Sequence, residues 1–372
     1  MGTGPRYARA VSPTQRVPIT VASTITLPDG STHTLITPAG LHVSLYAVNV
    51  PTARFMALGP RGDVFVGSWG AGTLSVLVHR AGGSGLARTV TLLGGLTVPH
   101  GLAYHGGLLY LGEEGQVSTL RYAPATMSVS DWRVIITLPS GGRHVTRTVG
   151  FGPDGSLYVS VGSSCNECVE VPGRAMVMRY RADGSGGIGY AHGLRNAVGL
   201  AWQPGSGLLW AADNGRDMLG ENIPPDEVDL IRQGGNYGWP SCWGNQQIDP
   251  AVPAASGYCA RTIAPALGLP AHSAPLGAAF VTGTLLPPAY RGGLVVAYHG
   301  SQYRTVPTGY KVVSIPVHGT AVGVPHDLVA GWLSADGSAW GRPVGVLIAA
   351  DGSLLISDDQ AGVVYRVAPT GH

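Results

Sequence analysis

The hydrophobic pattern of this chain is a repeat: a short apolar strand, a turn built from Gly, Pro or Asp, then a second apolar strand. It is clearest over residues 147–162, Arg-Thr-Val-Gly-Phe-Gly-Pro-Asp-Gly-Ser-Leu-Tyr-Val-Ser-Val-Gly. Further copies occupy residues 53–67, 99–112, 196–211 and 342–357, with a more degenerate one over 276–298. Most continue into a third strand, as at residues 73–78, 117–122, 175–180, 310–316 and 362–367. Strand repeats spaced by roughly 40–50 residues are the signature of propeller blades, each of which buries its faces against its neighbours. Six copies therefore predict an all-β fold, a six-bladed β-propeller of four-stranded antiparallel blades, with longer insertions after the fourth and fifth. The last copy ends at its third strand. Residues 41–48 alternate like a strand and are expected to supply the missing outer one, closing the ring and removing a free sheet edge. The expected organisation is an N-terminal extension over 1–39 and a single propeller domain over 40–368.

Composition narrows the picture. Only 12% of residues are charged, while Gly and Pro number 57 and 28, a profile that suits tight turns and disfavours long solvent-facing helices. The net charge of +2 leaves no footprint for nucleic acid or an anionic membrane surface. No apolar run is long enough to span a membrane. Lys311 is the only lysine, so nearly every fixed cation is an arginine, a planar fork suited to carboxylates. Residues 1–16 contain no apolar core of a signal peptide, so either the chain is cytosolic or a leader has been removed. The cysteines favour the second. They form two local pairs, Cys165 with Cys168 and Cys242 with Cys259, which suggests two disulfides and a periplasmic or secreted protein. A four-cysteine zinc site would want two Cys-x-x-Cys knuckles where one is present, and free thiols are the remaining alternative.

In a propeller the innermost strands line the axis, and their entry points form one rim. Here they begin at Arg54, at His100, at His144 with Arg147, at Arg195 with Asn196, and at Arg342. Like charges crowded about an axis repel one another unless an anion lies between them. The rim thus predicts a pocket for a planar, multiply anionic ligand gripped by arginine forks. A second concentration of chemistry is Asp213-Asn-Gly-Arg-Asp217 with Pro224-Pro-Asp-Glu227, followed by Asn236-Tyr-Gly-Trp-Pro240. Carboxylates and freed carbonyls on such loops can wrap a hard cation such as Ca²⁺, although EF-hand spacing is absent.

These blocks, together with His144 ahead of Gly152-Pro-Asp-Gly155 and with His192-Gly-Leu-Arg-Asn-Ala-Val-Gly-Leu200, resemble the pyrroloquinoline quinone (PQQ) sugar dehydrogenases. Cys165-Asn-Glu-Cys168, Tyr298-His-Gly-Ser301 and Trp340-Gly-Arg-Pro343 look like the L-sorbosone dehydrogenase-like branch. The resemblance covers residues 40–368 or so. It implies PQQ- and calcium-dependent oxidation of an aldose or sorbosone-type sugar at C1 by hydride transfer to the quinone, with electrons passed to an external acceptor. His144 matches the general base, and Arg195 with Asn196 the pair that contacts the quinone, Arg195 stabilising negative charge. The implied cofactor contacts are Arg54, His100, Arg147, Arg195, Asn196, Asn214 and Arg342, with Arg304 nearest the family's cofactor-gripping lysine and Lys311 next. Asn214, Gly215 and Arg216 match the turn whose carbonyls hold the catalytic Ca²⁺; Glu227 and the carbonyl of Tyr237 match a second calcium site. The chain departs from soluble glucose dehydrogenase in carrying Arg143 and Ser163 where that branch has Asp, and Arg216 where it has Pro. Two other classes compete: a calcium-dependent lactonase or hydrolase on the same ring, which would want acidic ligands at the axis, and a non-catalytic propeller that binds sugar or protein.

Overall fold

The second strand of nearly every repeat is buried along its whole length: Val64–Ser68, Leu157–Val161, Leu209–Asp213, Leu294–Tyr298 and Leu354–Asp358. A strand covered on both faces requires sheets that stack face to face. The computed structural model, which describes residues 20–79 and 85–372, has that architecture. Six blades follow one another as Ala53–Leu93, Gly101–Thr137, Arg147–His192, Ala197–Leu269, Pro275–Val329 and Pro343–Pro369, each led by its innermost strand and meandering outward. Among the described residues the helical elements are two short 3₁₀ turns, Cys259–Arg261 and Pro288–Tyr290, and no helix is long and apolar enough to cross a membrane. The reading of a missing leader over residues 1–16 lies outside the described residues.

The ring closes as expected. Leu41–Ala47 pairs antiparallel with Val363–Pro369, setting Val43 opposite Val367 and Leu45 opposite Tyr365. Ahead of it, a hairpin of Thr20–Thr26 and Thr32–Pro38 adds a strap that the sequence pattern did not announce. Its Ile25, Leu27 and Leu35 join the core around Leu41, Leu328 and Trp332, and Ile36 exchanges backbone hydrogen bonds with Ala330 of the fifth blade. The strap therefore covers the seam where first and last strands meet.

Both cysteine pairs are disulfides, Cys165–Cys168 and Cys242–Cys259, and no free cysteine remains. Zinc and free thiols fall away.

The inner strands of neighbouring blades approach one another closely. A Cβ on Gly101 would strike the Arg147 carbonyl of the next blade; one on Gly199 would strike Leu276, and one on Gly345 would strike Arg54. Gly277 is hemmed in entirely by backbone, that of Val344, Gly345 and Val346. Because main chain cannot rotate aside as a side chain can, Gly277→Ala is expected to cost about 1–3 kcal/mol of unfolding free energy, typical of an overpacked core. The midpoint of urea denaturation, with unchanged m-value, is the measurement that checks it.

Candidate active site

Antiparallel pairing places the start of each inner strand beside the end of the second. Ala53 lies opposite Ser68, Ala197 opposite Asp213, Pro275 opposite Tyr298 and Pro343 opposite Asp358. The residues at these pairs therefore gather on one rim: Arg54, one position inside its strand, with Asn196 and Arg342 just before theirs, and Trp69, Asn214, His299 and Asp359 just past the strand ends. Together with His144, Arg195 and Gly215 they line a cavity of about 520 Å³ at the mouth of the axis. That volume lies within the range of small-ligand pockets. Asp217, Asp226, His272 and Tyr303 complete much of the wall, with Trp69 and Tyr303 exposed at the opening.

His144 is held by Ser163. Its Nδ1 lies 2.9 Å from the Ser163 carbonyl and 2.8 Å from the hydroxyl. A carbonyl can only accept, so Nδ1 carries the proton and Nε2 is left as the acceptor nitrogen. Burial, then the charges of Arg195, Arg143 and Arg147, drive the imidazole pKa down to about 3. Desolvation is the largest of these causes. Arg195 is buried, and its guanidinium donates to the Asn166 carbonyl (3.1 Å), the Asn166 side-chain oxygen (2.8 Å) and the Asn214 carbonyl (3.3 Å), with Asp217 also 3.3 Å away. Its backbone N–H and that of Asn196 donate to the buried carboxylate of Asp213.

The rim is less cationic than its strand starts suggest, because the strand ends bring carboxylates. Asp359 sits 2.8 Å from Nη1 of Arg54 and 3.0 Å from Nε2 of His299. Burial pushes the Asp359 carboxyl up, but the His299 hydrogen bond and the Arg54 charge outweigh it and hold the group below its ordinary value. Being ionised it can only accept, so His299 carries its proton on Nε2, while burial first of all lowers that ring's pKa to about 4. Arg342 donates through Nε to the His299 carbonyl and through Nη2 to that of Gly300. Within these two arginines, Nη2 of Arg54 and Nη1 of Arg342 have no protein acceptor among the described residues.

Three residues expected at the pocket face elsewhere. His100 is fully buried beneath Phe55, with Nδ1 3.4 Å from Nε of Arg54, so it supports that arginine from behind. Arg147 is fully buried and donates to the carbonyls of His144, Thr146 and Pro139, bracing the loop before its strand. Arg304 ties its own loop to Ala271 and Asn222 and is not part of the cavity wall. Lys311 is paired with Asp327, on the third strand of its blade.

The calcium-type residues divide between two places. Gly215 lines the main cavity, and among the described residues no protein donor reaches the carbonyl of Gly215 or of Arg216. The side chain of Arg216 turns away to Asp249, at 2.6 Å, and to Glu167, at 3.6 Å. Glu227 and Tyr237 line a smaller cavity behind, which also contains Asp213. There the carboxylates of Asp213, Glu227 and Asp229 converge within 4.8 Å, and both oxygens of buried Asp229 lack a protein partner. Burial, reinforced by repulsion from neighbouring carboxylates, holds Glu227 and Asp229 well above the ordinary carboxylate range. Three converging carboxylates of this kind could hold a hard cation. The sequence reading placed Asp213 in the calcium-type loop without joining it to Glu227; Asp213 faces Glu227 across the strand pairing, and Asp229 follows two residues on, on the same side of its strand.

Residues 35–370 match a family model described as TrAA12-like. A protein of Borreliella burgdorferi described only as uncharacterized is 28% identical over 352 residues, covering 90% of this chain and 91% of its own length. The pyrroloquinoline quinone-dependent pyranose dehydrogenase of Coprinopsis cinerea is 26% identical over 401 residues, or 88% of this chain and 54% of that protein, so this chain spans about half of that relative. Among solved structures, a Trichoderma reesei protein of Carbohydrate-Active Enzymes Family AA12 superposes with a TM-score of 0.80 at 23% identity, covering 93% and 99% of the two chains. The holo form of the Coprinopsis cinerea pyranose dehydrogenase PQQ domain gives 0.78 at 24% identity, covering 94% and 100%. At these identities the superpositions speak for the fold.

Removing one partner of a buried ion pair strands the other, so Asp359→Ala should lower the unfolding free energy by about 3–5 kcal/mol. Chemical denaturation of the variant checks this, and Arg54→Met combined with Asp359→Ala should recover part of the loss.

Proposed function

The chain belongs to the TrAA12-like family, among whose relatives are PQQ-dependent sugar dehydrogenases, and from that membership we propose that it oxidises a sugar with PQQ and calcium. The observation that supports this reading is one cavity lined by Arg54, Arg195 and Arg342 together with His144, whose Nε2 is the acceptor nitrogen. Carboxylates in the wall would have suited a metal-dependent hydrolase, but Asp359 and Asp217 are engaged by Arg54, His299 and Arg195.

When bound, PQQ supplies a two-electron acceptor bearing three carboxylates, and calcium supplies a Lewis acid. The residues fit such groups. The free nitrogens on Arg54 and Arg342 would grip carboxylates by charge-assisted hydrogen bonds, flanked by Asn196 and Asn214. The unclaimed carbonyls of Gly215 and Arg216 would hold one calcium, and Glu227, Asp229, Asp213 and the carbonyl of Tyr237 a second. Arg195 offers a fixed, already oriented positive charge where negative charge develops. Nε2 of His144 takes the proton from the sugar hydroxyl at C1. With the charge of Arg195 offset by a bound anion, that ring becomes a stronger base than it is in the bare pocket. Trp69 and Tyr303 at the mouth present apolar faces to the substrate, an aldose or sorbosone-type sugar, and the electrons leave to an external acceptor. Two disulfides suit an oxidising compartment, the periplasm or the cell exterior.

The test is reconstitution: with Ca²⁺ and PQQ the protein should reduce an artificial dye at the expense of an aldose or aldehyde sugar. Absence of saturable PQQ binding would overturn the proposal. His144→Ala should keep cofactor affinity while turnover falls by a factor on the order of 10²–10⁴, and Arg195→Ala should lose both. A base is competent only when neutral, so activity falls as pH drops through the pKa of His144. Because that value is depressed, the acid limb of the kcat/KM profile should lie below about 6.5, the ordinary histidine value.

Calcium adds a separate prediction. Burial, then repulsion from neighbouring carboxylates (Asp229 and Asp213 on Glu227, Asp213 on Asp229), raises both carboxyls well above their ordinary range, and ligation needs them ionised. Binding should therefore release protons and tighten as pH rises, read by calorimetry in buffers of different ionisation enthalpy. Calcium affinity unaltered in both Glu227→Gln and Asp229→Asn would dismiss this site.

A further inference from the structure

The loop closed by Cys165–Cys168 contains only Asn166 and Glu167 between its sulfurs, and both reach across to the fourth blade. Asn166 accepts from Arg195 twice, through its carbonyl (3.1 Å) and its side-chain oxygen (2.8 Å). The same amide brackets the backbone of Asp217, accepting from its N–H at 2.9 Å and donating to its carbonyl at 3.0 Å. Glu167 lies 3.6 Å from Arg216 in that same turn. On the other side the Cys165 carbonyl accepts from the Ser163 hydroxyl at 2.8 Å, and Ser163 in turn holds the His144 ring. One short loop thus touches the supports of both groups assigned to the chemistry.

Resting on the function proposed above, we infer that Asn166 is a positioning residue for Arg195 and for the Asp213–Asp217 turn, and that the Cys165–Cys168 disulfide keeps it in register. Arg195 has a long side chain with several rotatable bonds, and fixing it at one orientation requires acceptors that are themselves fixed. A loop closed over two residues has little freedom to let Asn166 swing away. Opening the disulfide leaves the same donors and acceptors but releases the constraint, so the guanidinium samples other orientations. The effect reaches Asn214, Gly215 and Arg216 through Asp217, hence cofactor and calcium binding as well as rate.

The experiment uses the full chain. Arginine side chains labelled with ¹⁵N in the cofactor-free protein should show a slowly exchanging Nη2–H for Arg195, the nitrogen that donates to the Asn166 side-chain oxygen, assigned by its absence in Arg195→Lys. It should vanish in Asn166→Ala, persist in Asn166→Asp, which keeps the acceptor oxygen, and broaden in Cys165→Ser/Cys168→Ser. In the reconstituted protein Asn166→Ala should weaken PQQ binding and lower kcat by about 10–100-fold, the usual worth of hydrogen bonds to a charged group, with the sugar KM unchanged. Asn166→Asp should recover only the part of that loss that comes through Arg195, because a carboxylate accepts from the guanidinium but cannot donate to the Asp217 carbonyl. Dithiothreitol should lower turnover of the parent protein while leaving the double serine variant unaffected, which excludes Cys242–Cys259 as the source. Retention of the Arg195 signal and of PQQ affinity in Asn166→Ala would sink the inference. If the parent protein itself bound no PQQ, the proposed function would fall, and the arginine signal would still decide the positioning role.

Discussion

The first two strands of each blade run antiparallel, so whatever enters the inner strand lies beside whatever leaves the second. Around the ring this register brings two sets of residues, far apart in the chain, onto one rim. Arg54 and Asp359 stand at opposite ends of the sequence yet meet at 2.8 Å, because the last blade is completed by the strand that precedes the first. Ring closure and site assembly are the same event. The glycines at the inner contacts, Gly101, Gly199, Gly277 and Gly345, let the inner strands of neighbouring blades approach one another closely.

Electrostatics follow from that geometry. Charges at the axis are drawn out of water, and each needs a partner or a set of carbonyls to compensate. Arg54 takes Asp359, Arg195 takes Asp217 and the carbonyls beside it, Arg342 takes two carbonyls, and Arg147 takes three. The histidines stay neutral, His144 and His299 through burial above all. Among the groups left without a full set of partners are a guanidinium nitrogen each on Arg54 and Arg342 in front and a carboxylate cluster behind. Those are the places where an anion and a cation would each gain most.

Much of the site was legible because its residues stand at fixed points in a repeat. His144, Arg195, Asn196, Arg54 and Arg342 were found by asking what begins each inner strand, and they do line the cavity. His100 and Arg147 satisfy the same rule and face away; the inner ladders of their blades run without the register shift found in those of Arg54, Asn196 and Arg342. Trp69, His299 and Asp359 were missed for the complementary reason. They end second strands, and only the antiparallel register says that these ends share a rim with the strand starts. Asn166 carried no such signal; its importance comes from contacts across a blade boundary.

The sequence alone determined the number of blades, the order of the strands, the closing strand and the two disulfide partners, because these follow from local periodicity and near-neighbour spacing. The hairpin of Thr20–Thr26 and Thr32–Pro38 was beyond it, since its packing depends on Trp332 and Ala330, near the other end of the chain. Only the tertiary structure decided which charges face the pocket, which are spent on each other, and that desolvation rather than neighbouring charge chiefly keeps His144 unprotonated. Burial is a property of the whole ring, and no window of sequence contains it.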